Sequence, residues 1–189
     1  NALPYSEDLP EAVPGKEGGV RILYGTDKSM EMWRKTDWKH ATGATDYNVP
    51  FVLTALKPAT RYYYRAEIAA DQNYNPTRLG EIHSFTTAPA ADQFGHVNFT
   101  VITGTAMRSR DIWKDGLPWG FKSFVAMNSL RPDFFVHTGD IVYYDSDSPL
   151  ATNKDLARFH WHRMFSCPTV KDFFQHTACY FMKDDHDYR

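Results

Sequence analysis

Acidic side chains gather in two short stretches of this chain, and each stretch also holds a residue that can bind a metal or move a proton. In the first stretch, Gly139–Tyr143, Asp140 stands three residues before Tyr143. The second stretch is Asp184–Asp187, which reads Asp-Asp-His-Asp. Carboxylates that folding brings together raise each other's pKa unless a cation neutralises them. Because oxygen and imidazole ligands suit hard and borderline metals, the two stretches predict a metal site.

Each of these residues also has a purely structural interpretation. Asp140 could cap the turn after its strand, and Tyr143 could be a packing residue. The Asp184–Asp187 run could be a solvated loop, and we expect the nearby Asp145 and Asp147 to be solvated turn carboxylates. The sequence leaves these alternatives open.

Three apolar runs come just before the polar stretches and predict the strands that position them. They are Val97–Thr103, Asp133–His137 and Ala178–Met182. The first run is continuous and rich in β-branched residues, which is typical of a strand buried on both faces. His137 lies inside the second run, so we expect it to be a core histidine rather than a ligand.

Helical spacing of apolar residues predicts helices between these strands. One helix includes Phe121 and is closed by Pro132, and a short one covers Thr169–Gln175. Between them, Thr152 is expected to cap a helix with the apolar stripe Leu156, Phe159, His160 and Met164. The order of elements predicts a partial α/β domain with a parallel sheet and right-handed crossovers. Ligands of such sheets bind beyond the carboxyl ends of the strands, where the polar stretches fall.

The first half of the chain has a different pattern. Short β segments are predicted at Val20–Tyr24, Val49–Thr54, Thr60–Ala69 and Leu79–Thr87, and turn residues separate them. No useful helical periodicity occurs before Ala90. This half is therefore predicted to be a β-sandwich fragment, so the fold class is a β-sandwich module plus a partial α/β domain.

Composition limits the classes of function. Apolar residues make up 42% of the 189 residues, and 21 basic residues against 23 acidic ones give a net charge of -2. The sequence contains no basic stripe, so we do not expect nucleic acid as a stable partner. No apolar run is long enough for a membrane span. Cys167 and Cys179 could form a disulfide or stay as free thiols.

One stretch of the first half carries a family resemblance. Leu56-Lys57-Pro58-Ala59-Thr60-Arg61-Tyr62 resembles the tyrosine corner of fibronectin type III domains, with Tyr62 as the corner tyrosine. Phe85-Thr86-Thr87 resembles the last strand of such a module. The resemblance implies a fibronectin-like module over residues 1–88 that lacks its first strands, followed by a linker over 89–96.

The second half resembles another family. Gly-Asp-x-x-Tyr at Gly139–Tyr143, followed by Asp-Asp-His-Asp at Asp184–Asp187, resembles the calcineurin-like metallophosphoesterases. Within these it is most similar to the PhoD-type alkaline phosphatase and phosphodiesterase branch, which commonly carries a fibronectin-like module before the catalytic domain. Residues 97–189 are then expected to be the first part of that domain, truncated at its carboxyl end.

The resemblance implies a hydrolase of phosphomonoesters or phosphodiesters with a binuclear centre, expected to hold Fe3+ and Ca2+, and metal-bound hydroxide. It implies that Asp140 bridges the two metals, Tyr143 binds the ferric ion and Asp185 binds the second metal. His186 is implied to contact the phosphoryl group and to help the leaving oxygen depart. The resemblance also implies export to the periplasm, the cell surface or the medium.

The sequence departs from the family in two places. Thr105 stands near the position of the first metal ligand, where relatives have an aspartate or cysteine, and Asp111 is distant. The family also has ligands downstream of the Asp-Asp-His-Asp block, where this sequence ends. We therefore expect the 189-residue chain alone to be inactive. The alternative is a non-catalytic surface binding protein that keeps a phosphatase-like scaffold.

Overall fold

The structure, a computed structural model, describes residues 15–29, 31–71, 73–108, 112–113 and 120–188. These residues form two compact units, one spanning Gly15–His96 and one beginning at Val97. The predicted domain bounds, 1–88 and 97–189, include residues outside this description and stay a prediction. Among the described residues, no helix is long and apolar enough to cross a bilayer.

The unit Gly15–His96 is built on one antiparallel sheet. Its strands are β1 (Gly18–Gly25), β2 (Arg34–Lys35), β3 (Lys39–Ala41), β4 (Arg61–Ala69), β5 (Pro76–Leu79) and β6 (His83–Thr86). The two long strands, β1 and β4, pair at the centre. The strands β2 and β3 lie along the other edge of β1, whereas β5 and β6 lie along the other edge of β4.

Two of the four strands predicted for this unit are confirmed, as β1 and β4. The predicted strand Val49–Thr54 is wrong, because no strand forms there. Pro50 has no N–H to donate to a ladder, and Val52 is 81% exposed, so this stretch lacks both the hydrogen bonds and the burial of a strand. The predicted strand Leu79–Thr87 is two strands, β5 and β6, which pair with different parts of β4.

The tyrosine corner of this unit is present. The Tyr62 hydroxyl accepts a hydrogen bond from the backbone N–H of Lys57 at 2.9 Å, and Tyr62 is buried. Its ring stacks on that of Phe85 in β6, with the centroids 5.7 Å apart. Only one sheet is found among residues 15–96 as described, so the β-sandwich and its fibronectin-like character stay a prediction.

The unit that begins at Val97 is an α/β unit, as predicted. Its parallel strands are β7 (Phe99–Ile102), β10 (Phe134–His137) and β11 (Ala178–Phe181), and a small antiparallel pair is formed by β8 (Ile112–Trp113) and β9 (Gly120–Phe121). Its helices are α1 (Lys122–Ser129), α2 (Lys154–Ser166) and α3 (Pro168–His176). The order across the sheet is β11-β10-β7, and His137 is aligned with both Ile102 and Phe181. The carboxyl ends of the three strands therefore lie at one edge.

The three predicted helices form, but Phe121, predicted to lie in the first of them, ends β9, and α1 begins at Lys122. One predicted cap also differs. All four residues of the predicted stripe on α2 are buried: Leu156, Phe159, His160 and Met164. The cap is Asn153 instead of Thr152, because the Asn153 side chain accepts a hydrogen bond from the Leu156 N–H at 2.9 Å. Pro168 begins α3, where its missing N–H costs nothing.

The helices cover only one face of the parallel sheet. On that face Phe135 of β10 is fully buried against Phe124 of α1 and Phe173 of α3. The prediction that the first strand is buried on both faces is wrong, because Phe99 and Val101 are each 53% exposed on the opposite face. Cys167 and Cys179 are both free thiols.

Candidate metal centre

The loops after β10 and β11 bring the predicted ligands together. Asp140 follows β10 by three residues, and Asp185 and His186 lie in a short 3-10 helix, Asp185–Asp187, that follows β11. Each of the three residues offers a ligand atom, and these atoms all lie within 4.8 Å of one another. Asp140 is 45 or more positions away from Asp185 and His186 in the sequence, so the parallel pairing of β10 and β11 creates the cluster.

The backbone around Asp140 is shaped for this close approach. Gly139 has a φ of 117°, and a Cβ added there would stand 2.5 Å from the Cβ of Asp184. Only glycine therefore lets the two loops meet. Asp140 itself has a φ of 56°, in the left-handed region that aspartate tolerates better than most residues. Backbone strain of this kind is often found at functional sites.

His186 is held from several directions. Its backbone N–H donates to Asp140 Oδ1 at 3.4 Å, and its carbonyl accepts from the Tyr144 N–H at 3.2 Å. Its Nδ1–H donates to Asp145 Oδ1 at 2.7 Å. This bond raises the pKa of His186 and lowers the pKa of Asp145. Asp145 is exposed, as predicted, but it is a partner of the site and not merely a solvated turn residue.

Tyr143 lies beside both predicted ligands. Its ring centroid is 4.4 Å from that of His186, and its hydroxyl lies 3.5 Å from Asp140 Oδ2. Burial, followed by the negative charge of Asp140, raises the pKa of Tyr143. The neutral phenol is therefore favoured until a cation offsets the carboxylate. The loop after β7 also reaches this point, because a Cβ at Gly104 would stand 3.1 Å from the Tyr143 hydroxyl.

Thr105 has a structural role outside the carboxylate cluster. It is 2% exposed, and its hydroxyl donates to the carbonyl of Ile141 at 2.8 Å. The same hydroxyl is 3.2 Å from His137 Nε2, and the Thr105 N–H donates to the carbonyl of Asp140 at 2.9 Å. Thr105 thus supports the loop that carries Asp140. Asp111, the other residue considered for this position, lies outside the described residues.

His137 is a core histidine, as predicted. It is 1% exposed, and burial lowers its pKa to about 4. Its Nδ1 accepts a hydrogen bond from the Gly139 N–H at 3.3 Å, which leaves the ring proton on Nε2, next to the Thr105 hydroxyl. The neutral ring therefore supports the turn that precedes Asp140.

Two buried aspartates were missed by the sequence analysis. Asp187 is 1% exposed and accepts hydrogen bonds from the N–H groups of Val142 at 2.7 Å and Asp184 at 3.2 Å. It ties the loop after β11 to the loop after β10. The signal was available in the sequence, because Asp184 and Asp187 have the spacing of a capping box, which the structure contains.

Asp147 is the second of these residues, and the prediction that it is solvated is wrong. It is 3% exposed and accepts from the Met107 N–H at 2.8 Å, so it ties the loop after β7 to the loop after β10. Its charge adds to that of Asp140 in raising the pKa of Tyr143. No feature of the sequence pattern distinguished Asp147 from the exposed Asp145.

The donor set fits a metal ion of hard or borderline character. Two carboxylates, an imidazole and, once a cation is present, a phenolate are oxygen and nitrogen ligands of the expected kind. In the parts of the chain that the structure describes, this is the only group of three or more acidic, histidine or cysteine side chains gathered in this way. Such a set can hold one ion, and a second ion needs ligands in addition to these.

The fold is similar to that of two solved structures. A solved structure of PhoD matches with a TM-score of 0.70 and 16% sequence identity, over 93% of this chain and 33% of the PhoD chain. A purple acid phosphatase isolated from yellow lupin (Lupinus luteus) seeds matches with a TM-score of 0.50 and 10% identity, over 89% of this chain and 30% of that one. The fold is thus of the PhoD type.

The chain spans about a third of the length of these solved structures. No family model matches the sequence. No curated protein matches it either. The likeness is therefore one of fold, carried by the structures alone.

Proposed function

We propose that this chain is part of a metal-dependent hydrolase of phosphoric esters. The observation that carries the proposal is the meeting of Asp140, Asp185 and His186 within 4.8 Å at the carboxyl edge of a parallel sheet. The fold shared with PhoD and with a purple acid phosphatase supports phosphate esters as the substrate class. Export of the protein remains an expectation from the resemblance.

Asp140, Tyr143 and Asp185 are the residues that would hold metal. Bound metal ions supply Lewis acidity and an activated water for attack on phosphorus. We propose Fe3+ and Ca2+ as the pair of metals, of which Tyr143 would bind the ferric ion. A binuclear centre then requires further ligands from the complete protein, because the described residues supply one cluster and Thr105 is engaged elsewhere.

His186 is the residue proposed to act on the leaving group. Its Nδ1–H is engaged by Asp145, a bond that also favours the protonated ring, so the Nε2–H of that ring is the group that can donate a proton to a departing oxygen. The Tyr143 ring packs against the imidazole and restricts its rotation. Arg108 lies next to them, with its guanidinium carbon 5.6 Å from the Tyr143 ring centroid, and adds positive charge where an anionic substrate would bind.

The test uses the complete protein loaded with iron and calcium. We expect hydrolysis of a chromogenic phosphodiester or phosphomonoester, and we expect Asp140→Asn to lower kcat/KM at least ~100-fold, since loss of a ligand costs more than loss of its supporting partner. The matched control is Asp92→Asn, an exposed aspartate in the other unit. Metal content is measured in parallel. Full activity in Asp140→Asn would contradict the proposal.

The same experiment distinguishes the alternative of a non-catalytic binding protein. The position of Thr105 favours that alternative, because its hydroxyl is committed to the backbone of Ile141 and the loop after β7 adds no charged ligand among the described residues. A binding protein would bind phosphate esters with no turnover in the complete, metal-loaded form. The 189-residue chain alone is expected to be inactive under either proposal.

A further inference from the structure

Two ionisable side chains of α2, His160 and Arg163, are buried, although the metal centre makes no direct use of them. They lie one turn apart on the helix and both contact the loop that joins β10 to α2. Removing such groups from water costs free energy, and apolar residues of similar size often stabilise a core as well or better. The hydrogen bonds that His160 and Arg163 make therefore indicate their role.

The two side chains fasten this loop to the helix. Arg163 donates through Nη1 to the carbonyl of Ser148 at 3.0 Å and through Nη2 to Nδ1 of His160 at 3.1 Å. Because Nδ1 accepts this bond, the ring proton lies on Nε2, which donates to the carbonyl of Pro149 at 2.7 Å. Burial lowers the pKa of His160, which favours this neutral ring. Arg163 thus holds the loop directly and also through His160.

The same loop carries Asp145, the partner of His186. Tyr144, the residue before it, donates its N–H to the carbonyl of His186 at 3.2 Å and accepts from the Ala151 N–H at 2.8 Å. Asp145 Oδ1 accepts from the Nδ1–H of His186 at 2.7 Å. Because the Asp145 side chain is exposed, core packing does not fix its position, and the backbone of the loop has to do so. The two carbonyls that α2 holds lie three and four residues further along this backbone.

We propose that Arg163 and His160 are positioning residues for proton transfer from His186. They hold the loop so that Asp145 stays against Nδ1 of His186 and directs Nε2 toward the leaving oxygen. The inference rests on the proposed function, in which His186 is the proton donor. Neither Arg163 nor His160 is proposed to touch the substrate.

The reaction determines which substrates would depend on this positioning. The oxygen of water forms a bond to phosphorus and gives up a proton to the solvent. The bond from phosphorus to the leaving oxygen breaks, and that oxygen keeps the bonding pair and takes the proton from Nε2, which is then replaced from the solvent. A weakly basic leaving oxygen needs little of this proton donation, whereas a more basic one depends on it. Loss of the positioning residues should therefore affect the second kind of ester more.

The test uses the complete protein, loaded with iron and calcium, and two esters of methyl phosphate, one with p-nitrophenol and one with phenol. Phenol is the poorer leaving group, since its anion is the stronger base. Arg163→Met removes both donors and keeps a long apolar side chain. We expect kcat/KM to fall at least ~10-fold more for the phenyl ester than for the nitrophenyl ester. Met164→Ala, in the apolar core, is the control, since it should destabilise the fold and leave the ratio of the two rates unchanged.

A pair of variants at His160 separates positioning from stability. His160→Gln keeps an N–H donor near the place of Nε2 and should retain the ratio of the unmodified protein, whereas His160→Leu should change it as Arg163→Met does. This pair also keeps the test decisive if Arg163→Met does not fold. Turnover with an unchanged ratio in His160→Leu and Arg163→Met would overturn the inference and leave the proposed function intact. No turnover by the unmodified protein would refute the proposed function, and the inference with it.

Hydrogen exchange tests the loop without any turnover. In Arg163→Met, the amides of Tyr144 and Ala151 should lose protection relative to the amides of β10. In Met164→Ala, any loss should be shared by the loop and the strand. If the relative protection of the two loop amides were the same in Arg163→Met as in the unmodified protein, Arg163 would not hold the loop and the inference would be wrong.

Discussion

The two units of this protein bury their side chains in different ways. Among the described residues of the antiparallel unit, four apolar side chains are buried: Leu23, Ala41, Tyr62 and Ala69. The described residues of the parallel unit include eleven buried apolar side chains, and five of them are phenylalanines. A single antiparallel sheet can leave a face in water, whereas a parallel sheet requires helices against it. The candidate chemistry lies in the unit with the packed core, where the loops have a rigid support.

The largest effect is expected from truncating the aromatic side chain at the centre of that core. Phe135 is fully buried, with ring centroids 5.1 Å from Phe173 and 5.9 Å from Phe124. We expect Phe135→Ala to lower the free energy of unfolding of the parallel unit by about 3–5 kcal/mol, since it leaves a cavity. Phe85→Ala, in the partly exposed β6, is the control and should cost less.

Site-resolved hydrogen exchange measures this difference, because it reports on the amides of each sheet separately. In Phe135→Ala, the protection of the backbone amides from exchange should fall in β10 and stay unchanged in β1 and β4. An equal fall of protection in both sheets would show that the two units do not differ in this way.

The next largest effect is an acid sensitivity of the parallel unit alone. Burial lowers the pKa of His137 from its ordinary value of 6.5 to about 4. At a pH between these two values, the unfolded chain binds a proton on this histidine that the folded protein excludes. The stability contributed by the neutral ring is complete above pH 6.5 and is lost as the pH falls toward 4. The full loss is about 3 kcal/mol at 1.36 kcal/mol per pKa unit.

Denaturation midpoints between pH 7.5 and pH 4.5 test this expectation. His137→Gln should have a flatter pH dependence than the unmodified protein, and His176→Gln, at an exposed position, should retain the full dependence. If His137→Gln kept the same slope, the acid sensitivity would have to come from other groups.

A smaller effect is expected in the antiparallel unit. Tyr62→Phe keeps the ring but leaves the Lys57 N–H without the hydroxyl that accepts it at 2.9 Å. We expect a loss of about 1 kcal/mol from the free energy of unfolding of this unit. Tyr63→Phe is the control, since neighbouring strand residues point to opposite faces. Equal losses in both variants would mean that the corner hydrogen bond contributes nothing specific.

The ends of the strands could be predicted because the spacing and the burial of the apolar residues fix them. Apolar runs gave β10 and β11, and parallel order then required that Asp140 and Asp185 meet at one edge, which the structure confirms. Other features depended on contacts that no local pattern encodes. Asp145 and Asp147 are two residues apart in one loop, yet only Asp147 is buried, because the loop after β7 covers it.

The errors in the prediction have the same origin. The run Val97–Thr103 has the composition of a strand buried on both faces, but the described helices cover only one face of its sheet. Val49–Thr54 has strand-like composition, but it pairs with no strand among the described residues. Composition reports what a segment can form, and burial depends on which elements the rest of the chain places against it.

The smallest expected effect concerns Asp145, which should matter for His186 and not for the fold. Asp145 is exposed, so Asp145→Asn should leave the free energy of unfolding within about 0.5 kcal/mol of that of the unmodified protein. The pKa of His186, which the Asp145 bond raises, should fall, while Asp185 and Asp140 still hold it partly up. NMR titration of the metal-free protein measures this pKa. Asp172→Asn, beside His176 in the other exposed pair, is the control and should leave His186 unchanged. An unaltered pKa of His186 in Asp145→Asn would mean that Asp145 is an ordinary surface carboxylate. Only Asp140 and Asp185 would then distinguish the carboxylates of the metal centre from those elsewhere in the protein.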